Sequence, residues 1–396
     1  MGRNERGIGR VLGDGAYKFD TRYPSVSDLR EATRKRIPKF AFDYLEGGCN
    51  EEVNLRLNES DLARIRLKPN YLKDFDGADL GTELFGHRYD APFGIAPIGL
   101  QGLMWPNAPE ILARAALRHN IPYVLSTVST GSIERIGEVS EGRAWFQLYH
   151  PTEDRLRDDI LRRLKSSGYG VLIVLVDVPA FGFRHREIKS GLSMPPKLNT
   201  SNIWQAVCRP RWGLETLRSG IPGFATLKPY MDKGLSMSQL GRFMDATFTG
   251  RVDAAKVRTI RDRWDGKLVL KGVASERDAE FAAAIGVDGV IVSNHGGRQL
   301  DAAESSVKSL ERIHAGFSDK FRIMVDGGIR SGPDIARVMA MGADFAFMGR
   351  PFMYGVGALG RKGGDHTIGM FKAQLKQVME QLGCESVGNL TESLAV

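Results

Sequence analysis

The segment GVIVSNHGGRQLD, at residues 289–301, begins as an apolar run and ends in side chains that can do chemistry. The imidazole of His295 suits a general base near neutral pH. The guanidinium of Arg298, three residues later, can bind a carboxylate through two parallel hydrogen bonds. Gly296 and Gly297 lie between them and permit a tight turn. The segment therefore predicts a base and a carboxylate-binding group directed at one small molecule.

Two further motifs combine glycines with an arginine: DGGIRSG at 326–332 and MGRP at 348–351. Glycines allow the backbone to approach a ligand closely, and the free N–H groups of a helix start attract anions. Arg330 and Arg350 can each contact two phosphate oxygens. The coincidence of both motifs predicts a phosphate site, and the alternative is a pair of tight turns with surface arginines.

The elements that position these groups follow a repeat of a short apolar run and an amphipathic segment. Near-continuous apolar strands that alternate with helices indicate a parallel sheet covered on both faces. The predicted strands are 91–100, 123–127, 144–149, 171–177, 267–272, 289–294, 322–328 and 345–350. Eight such units predict an α/β fold of the (β/α)8 TIM-barrel type, with a doubly wound open sheet as the alternative.

Two regions fall outside this repeat. Residues 1–90 are predicted to form an N-terminal helical extension that packs on the barrel, with a capped helix over 25–48. Residues 91–396 are predicted to form the barrel, in which 183–252 is a long insertion between the fourth and fifth strands. Part of this insertion, 197–233, combines basic residues with aromatic ones, which fits contact with a membrane surface. Its aromatic residues are Trp204, Trp212, Phe224 and Tyr230. A lid or an oligomer contact is the alternative.

Composition limits the class of protein. The net charge is +8 and the isoelectric point about 9.3, but no nucleic-acid-binding module accompanies this charge, so nucleic acid is not an expected partner. The three cysteines have no metal-ligand spacing, and no metal site is expected. The N-terminus lacks the apolar core of a signal peptide, and no apolar run approaches the length of a membrane span. The expected location is the cytoplasm, with peripheral contact at the inner face of the membrane as an option.

The active site of such a barrel lies at the carboxyl ends of the strands. Side chains that can do chemistry are predicted there on one face: Gln147, Tyr149, Asp177, Arg184, Lys271, His295 and Arg298. Asp177 is predicted to orient His295 and to stabilise its protonated form.

These motifs resemble those of the FMN-dependent L-2-hydroxy-acid dehydrogenase and oxidase family. The likeness is carried by SNHGGRQLD at 293–301, LVLKG at 268–272 and the two glycine–arginine motifs, and it covers nearly the whole chain from residue 37. LSTVS at 125–129 and WFQLY at 145–149 are most similar to the bacterial L-lactate dehydrogenase group. The resemblance implies the oxidation of an L-2-hydroxy acid to the 2-oxo acid, with L-lactate to pyruvate favoured.

The resemblance also implies roles for individual residues. FMN would be bound by Pro97, Ile98, Gly99, Ser126, Gln147, Lys271, Ser293, Asp326, Gly327, Gly328, Arg330, Gly349 and Arg350. The substrate would be bound by Tyr44, Tyr149, Arg184, His295 and Arg298. Catalysis would rest on His295 as base, supported by Asp177, Tyr149 and Arg184. Tyr44 is identified by the resemblance alone, since its local sequence reads as an apolar helix face.

Several points stay open at this level. Leu175 stands where many relatives have threonine, and Val128 stands where glycolate oxidase has tryptophan, so the fine structure of the pocket differs. A larger 2-hydroxy acid, mandelate-like or long-chain, with oxygen as acceptor is the main alternative, and a flavin enzyme acting on a different class of substrate is another. The electron acceptor can be a quinone, a cytochrome or oxygen. A homotetramer is expected from the family.

Overall fold

The computed structural model describes residues 20–192, 200–220, 222–231, 243–244, 246–248 and 250–395. Two short strands, β1 (Thr82–Leu84) and β2 (His87–Tyr89), form an antiparallel hairpin. Eight parallel strands follow: β3 (Phe93–Ile95), β4 (Val124–Ser126), β5 (Trp145–Leu148), β6 (Val171–Leu175), β7 (Lys267–Val273), β8 (Gly289–Val292), β9 (Arg322–Asp326) and β10 (Phe345–Met348).

The eight parallel strands close into a barrel. They pair in the order β3-β10-β9-β8-β7-β6-β5-β4. The two ends of this order meet, because Ile95 bridges to Tyr123 and its N–H donates to the carbonyl of Pro122 at 2.9 Å. This closure confirms the predicted (β/α)8 barrel, and the alternative of an open sheet is wrong.

Helices connect the strands and cover the barrel. The described α-helices are Val26–Arg36, Lys39–Glu46, Val53–Arg64, Gln101–Met104, Ala108–Arg118, Ile133–Val139, Asp154–Ser166, His185–Ser190, Thr200–Val207, Pro210–Ser219, Ala254–Arg263, Glu276–Ile285, Ser306–Phe317, Gly332–Ala340, Arg350–Leu359 and Gly363–Leu382. Short 3-10 helices span Lys228–Tyr230, Gly360–Lys362 and Val387–Ser393. Within the described ranges, no helix is both long and apolar enough to cross a bilayer.

The alternation of side chains along the strands builds the barrel interior in layers. One apolar layer consists of Trp145, Ile173, Val269, Ile291, Met324, Phe345 and Phe347. Two residues nearer the carboxyl ends, the same strands direct a mostly polar set inward: Gln147, Leu175, Lys271, Ser293 and Asp326. Because side chains alternate with a period of two, a strand places an apolar side chain in the packed interior and, two residues later, a mostly polar one at the barrel mouth.

The hairpin β1–β2 covers the amino end of the barrel. Leu84 and Tyr89 are buried against the apolar layer, and the Phe85 ring lies 5.7 Å from that of Trp145. Sequence analysis predicted only helix before residue 91 and missed this hairpin, since its strands have three residues each. Because the hairpin covers the amino end of the barrel, we expect a ligand-binding site at the carboxyl ends of the strands.

The helix predicted over 25–48 is two helices. Its start is as expected, because Ser25 and Asp28 form a capping box. A break follows at Ile37–Pro38, where proline lacks an N–H and disfavours helical backbone in the residue before it. The first helix packs on the barrel helix Arg350–Leu359, where the Thr33 hydroxyl donates to the carbonyl of Tyr354 at 2.6 Å.

The long insertion between β6 and β7 contains two helices, Thr200–Val207 and Pro210–Ser219, that expose apolar side chains. Of the four aromatic residues singled out there, Trp204 is 68% exposed, whereas Trp212 and Phe224 are each 6% exposed. The Trp212 indole N–H donates to the carbonyl of Leu103 at 3.1 Å. Tyr230 donates its hydroxyl proton to Asp159 at 2.5 Å. Most of these aromatic residues therefore anchor the insertion to the barrel. Residues 197–199, 221 and 232–233 of the predicted membrane segment lie outside the described residues.

Candidate active site

A cavity of about 890 Å³, including its open mouth, lies at the carboxyl ends of the strands. Most residues singled out in the sequence line it: Tyr44, Pro97, Ile98, Gly99, Gln147, Tyr149, Arg184, Lys271, His295, Arg298, Asp326, Gly327, Gly328, Arg330, Gly349 and Arg350. Asp177 and Ser293 lie behind this lining and contact His295 and Lys271, respectively. Ser126 is buried at the end of β4, where its Oγ accepts from the N–H of Val128 at 3.4 Å.

His295 is held in a single orientation. Its Nδ1 lies 3.1 and 3.2 Å from the two carboxylate oxygens of Asp177, and its backbone N–H donates to the Ser293 hydroxyl at 3.0 Å. Its backbone φ of 60° is left-handed, which few non-glycine residues adopt. When Nδ1–H donates to Asp177, Nε2 is the nitrogen that can accept a proton.

The charges of this pair favour a neutral base beside an ionised acid. Burial lowers the pKa of His295 below its ordinary value, and Asp177 opposes this shift only in part. Burial raises the pKa of Asp177, but the His295 ring and Lys271 more than offset it, so that this pKa lies below its ordinary value. Gly272 makes room for the acid, because a Cβ there would lie 2.5 Å from that of Asp177.

Arg298 and Arg184 share one acidic partner, Glu187. The Arg298 Nη2 donates to a Glu187 carboxylate oxygen at 2.8 Å, and the Arg184 Nη1 lies 3.4 Å from the same oxygen. The other terminal nitrogen of Arg298 donates to the carbonyls of Tyr44 and Gly47 at 2.8 and 2.7 Å. Two guanidinium groups against one carboxylate leave an excess positive charge for an anionic group of a substrate.

Sequence analysis missed Glu187. Its position three residues after Arg184, about one helical turn away, could have indicated its contact with Arg184. Its contact with Arg298 joins positions far apart in the chain, so no local pattern indicates it.

Two tyrosine hydroxyls complete this side of the cavity. A Cβ at Gly99 would lie 3.0 Å from the Tyr44 hydroxyl, so this glycine leaves space for the phenol. The Arg298 guanidinium lies 5.0 Å from the centre of the Tyr44 ring. Burial raises the pKa of both Tyr44 and Tyr149, so both hydroxyls keep their protons and can donate hydrogen bonds.

Lys271 supplies a buried cation to the floor of the cavity. Its Nζ lies 2.9 Å from an Asp326 carboxylate oxygen and 2.8 Å from the Ser293 hydroxyl. The same hydroxyl donates to the other Asp326 oxygen at 2.5 Å. This triangle fixes the ammonium group where three strands end side by side.

Arg350 is the clearest sign of an anion site. Its guanidinium donates to the carbonyls of Leu45, Gly47 and Gly296 at 2.9 to 3.0 Å. In the described part of the chain, no carboxylate lies within ion-pair distance of it. Burial, reinforced by the nearby Arg330, lowers its pKa to about 10. A partly buried cation without an acidic partner is stabilised when an anion binds.

The glycines of DGGIRSG have a packing role that the sequence did not reveal. Gly327 and Gly328 have φ values of 99° and 80°, in the left-handed region. A Cβ on Gly327 would lie 2.7 Å from the Ser306 hydroxyl, and one on Gly328 would meet the backbone of Asn58. Gly328 therefore allows the helix Val53–Arg64, and Gly327 the helix Ser306–Phe317, to approach the end of β9.

The residues of the cavity fit FMN. The unpaired cation Arg350, together with Arg330, suits a phosphate group. Gln147 and Lys271 offer hydrogen-bond donors on the floor, and Pro97, Ile98 and Gly99 form a largely apolar wall. His295 and Arg298 line the same cavity, where they can face a second, smaller molecule.

Comparisons with known proteins agree with this geometry. The family model described as FMN-dependent dehydrogenase matches residues 33–396. The chain is 36% identical to (S)-mandelate dehydrogenase of Pseudomonas putida, over 93% of this chain and 92% of that protein. It is 35% identical to L-lactate dehydrogenase of Pseudomonas syringae pv. syringae (strain B728a), over 94% and 98%.

Solved structures lead to the same assignment. A crystal structure of the monotopic membrane protein (S)-mandelate dehydrogenase superposes with a TM-score of 0.89 at 34% identity, over 94% of this chain and 99% of that chain. A crystal structure of mandelate oxidase gives a TM-score of 0.81 at 31% identity, over 94% and 98%. The resemblance read from the motifs is confirmed: the chain belongs to the FMN-dependent dehydrogenase family, and FMN is its cofactor.

Proposed function

We propose that this protein oxidises an L-2-hydroxy acid to the 2-oxo acid, with L-lactate to pyruvate as the reference reaction. The observation that carries the proposal is the pairing of His295 with Asp177 in the cavity that also contains Arg298 and Arg184. One small cavity contains a base, which suits the substrate hydroxyl, and an excess positive charge, which suits the substrate carboxylate. The relatives named L-lactate dehydrogenase and (S)-mandelate dehydrogenase support this class of substrate.

The side chains divide the work. Arg298, Arg184 and the Tyr44 hydroxyl bind the substrate carboxylate and fix its orientation. Nε2 of neutral His295 accepts a proton from the substrate, and Asp177 stabilises the imidazolium that forms. The Tyr149 hydroxyl donates a hydrogen bond to the substrate oxygen. Bound FMN supplies the two-electron acceptor that the oxidation requires. The Lys271 ammonium, which lines the same cavity, would supply fixed positive charge to the cofactor.

Anaerobic mixing tests the reaction directly. The purified holoenzyme is mixed with L-lactate or D-lactate without oxygen, and the flavin absorbance near 450 nm is followed. Rapid bleaching by the L-form and none by the D-form is expected. The same experiment with glycolate and L-mandelate covers a smaller and a larger acid. If none of these acids bleaches a flavin that is bound, the proposed reaction is wrong.

We further propose that the two exposed helices of the insertion bind a membrane surface and bring the site to a membrane quinone. Five large apolar side chains on these helices are 49 to 82% exposed: Ile203, Trp204, Val207, Leu214 and Leu217. Exposed basic residues, among them Arg211 and Lys228, lie in the same region and suit anionic lipid headgroups. One relative is described as a monotopic membrane protein.

Vesicle co-sedimentation tests this contact. Wild-type protein is expected to sediment with vesicles of anionic phospholipid, and the double variant Trp204→Asp, Leu217→Asp to remain in the supernatant. Leu72→Asp is the matched control, because Leu72 is fully exposed on another part of the chain. Equal sedimentation of the double variant and wild type would rule out this surface. Adding oxygen, a soluble quinone or a cytochrome to the reduced enzyme then distinguishes the acceptors.

The homotetramer stays a prediction from the family. Sedimentation equilibrium of the holoenzyme checks it, and a monomer at micromolar concentration would contradict it.

A further inference from the structure

A second chamber adjoins the active-site cavity, and most of its wall is apolar. Tyr44, Val128, Tyr149 and Arg184 line both spaces, so the two are continuous. The chamber measures about 1030 Å³ including its mouth. Its apolar wall includes Leu100, Phe181, Ile188, Leu192, Phe224 and Met244.

One side of the chamber wall is a packed part of the fold. Phe224 and Met244 are 6% and 2% exposed and belong to one apolar cluster with Leu227 and Phe248. The Tyr149 ring lies 6.0 Å from that of Phe248, which ties the cluster to the active site.

Backbone hydrogen bonds hold two residues next to this cluster, Ala225 and Thr247, against the barrel. The N–H of Ala225 donates to the carbonyl of Ser129 at 3.2 Å, and the N–H of Thr152 donates to that of Thr247 at 2.8 Å. This side of the chamber is therefore formed before any ligand enters.

The charged groups of the chamber are all engaged once the substrate carboxylate has bound to Arg298 and Arg184. Its lining contains Arg184 and Glu187, which face each other at 3.4 Å, and Glu187 also accepts from Arg298 at 2.8 Å. A polar side chain would lose its water there without gaining a free charged partner, whereas an apolar one would gain by leaving water.

We propose that this chamber receives the side chain of the substrate, so that the protein prefers L-2-hydroxy acids with an extended apolar side chain over L-lactate. The inference rests on the proposed function. The α-carbon has four substituents: the carboxylate goes to Arg298 and Tyr44, the hydroxyl to His295, and the hydrogen is lost in the reaction. The fourth substituent needs the remaining space, which lies beyond Val128.

Val128 sets the width of this passage. A Cβ at Gly99 would lie 2.9 Å from a Val128 methyl group and 3.0 Å from the Tyr44 hydroxyl, so these three residues meet at the junction of the two spaces. A side chain no larger than valine leaves the junction open, and a methyl group, as in lactate, would leave the chamber unfilled.

Binding of the 2-oxo acid products tests the inference without turnover. Pyruvate, 2-oxobutanoate, 2-oxohexanoate and 2-oxooctanoate are titrated into the oxidised holoenzyme, and the shift of the flavin spectrum gives each dissociation constant. Affinity is expected to rise about fourfold for each added methylene that becomes buried. The kcat/KM values of the corresponding L-2-hydroxy acids are expected to rise in the same order. Affinities that stay flat or fall along the series would overturn the proposal.

A substitution in the chamber wall tests whether the preference for longer acids arises in the chamber. Leu192→Trp fills the chamber at a partly buried position and is expected to weaken 2-oxooctanoate at least tenfold more than it weakens pyruvate. Leu192→Ala keeps the space and should preserve the rise along the series. Leu72→Trp, on a fully exposed residue, is the matched control for a surface tryptophan. An equal effect of Leu192→Trp on both ligands would contradict this location.

The two proposals fail in different ways. If no 2-hydroxy acid bleaches the flavin, the proposed function is wrong and the inference falls with it. If L-lactate bleaches it and longer acids do so no better, the function stands and the side-chain chamber is wrong.

Discussion

Replacing Asp177 with asparagine isolates the charge that supports His295. Asparagine has nearly the shape of aspartate and keeps an oxygen that can accept from the Nδ1–H. The two carboxylate oxygens lie 3.1 and 3.2 Å from Nδ1, and the Asp177 side chain is 12% exposed, so solvent screens their interaction little. The variant should leave the imidazole in place while removing the negative charge that stabilises its protonated form.

The size of the effect follows from this contact. A hydrogen bond to a charged group contributes about 1.5–3 kcal/mol, and each 1.36 kcal/mol in a barrier is tenfold in rate. Asp177→Asn is therefore expected to slow anaerobic flavin reduction by about 10- to 150-fold at saturating substrate. Substrate affinity should change little, because the carboxylate is bound by Arg298 and Tyr44.

The pH dependence of the rate tests the direction in which Asp177 shifts the pKa of His295. A base works in its neutral form, so kcat/KM falls as the pH drops through the pKa of His295. Burial places this pKa below its ordinary value of 6.5, and the acid limb of the wild-type profile should lie there. Asp177 raises this pKa, so the limb of Asp177→Asn should move to lower pH.

Stopped-flow absorbance under nitrogen measures both quantities. Asp365→Asn is the matched control, since Asp365 lies 3.2 Å from His119 Nε2 at the amino end of the barrel. An unchanged rate in Asp177→Asn, or an acid limb that moves to higher pH, would refute the proposed role of the pair. So would an equal loss of rate in the control.

Three further results are expected. Arg350→Met should weaken FMN binding by about 10- to 150-fold, because a charged hydrogen-bond donor to the phosphate is lost, and fluorescence titration of the apoprotein measures it. FMN affinity equal to wild type would show that Arg350 is structural. Gly355→Ala should lower the free energy of unfolding by about 1–3 kcal/mol, because the new Cβ would press on Thr367 and lie 2.7 Å from the carbonyl of Gly363. Gly316→Ala, in a helix and with no atom within 4 Å of the new Cβ, should raise this free energy by about 0.5–1 kcal/mol. Urea unfolding compares the two variants, and the reverse order would contradict the close contact of Gly355, in helix Arg350–Leu359, with Gly363 and Thr367 of helix Gly363–Leu382.

Most of the barrel could be predicted from the sequence because its signals are local. Each parallel strand is a short apolar run with a helix pattern after it, and all eight runs form strands, most of them shorter than predicted. The hairpin β1–β2 escaped prediction because three-residue strands leave too short a pattern. The break at Pro38 could have been predicted, because proline disfavours helical backbone in the residue before it. The apolar pattern that continues on both sides of Pro38 instead suggested one helix.

The sequence also determined which residues could do chemistry. His295, Arg298, Lys271 and the two glycine–arginine motifs follow strands, and strand ends meet at one face of a barrel. Tyr44 depended on the family resemblance, because an isolated tyrosine in an apolar helix carries no local signal.

The tertiary structure alone decided which acid pairs with the two arginines and what surrounds these groups. Glu187 joins Arg184 to Arg298, a contact across more than a hundred residues that the sequence did not indicate, whereas the contact of Asp177 with His295 was predicted and is confirmed. The chamber beyond Val128 exists because the insertion folds back on the barrel and buries Phe224 and Met244. Alternation, glycines and proline act over a few residues, and so the sequence by itself determines the elements and their reactive ends. Charge balance and cavity shape depend on which distant residues meet, and only the folded chain decides them.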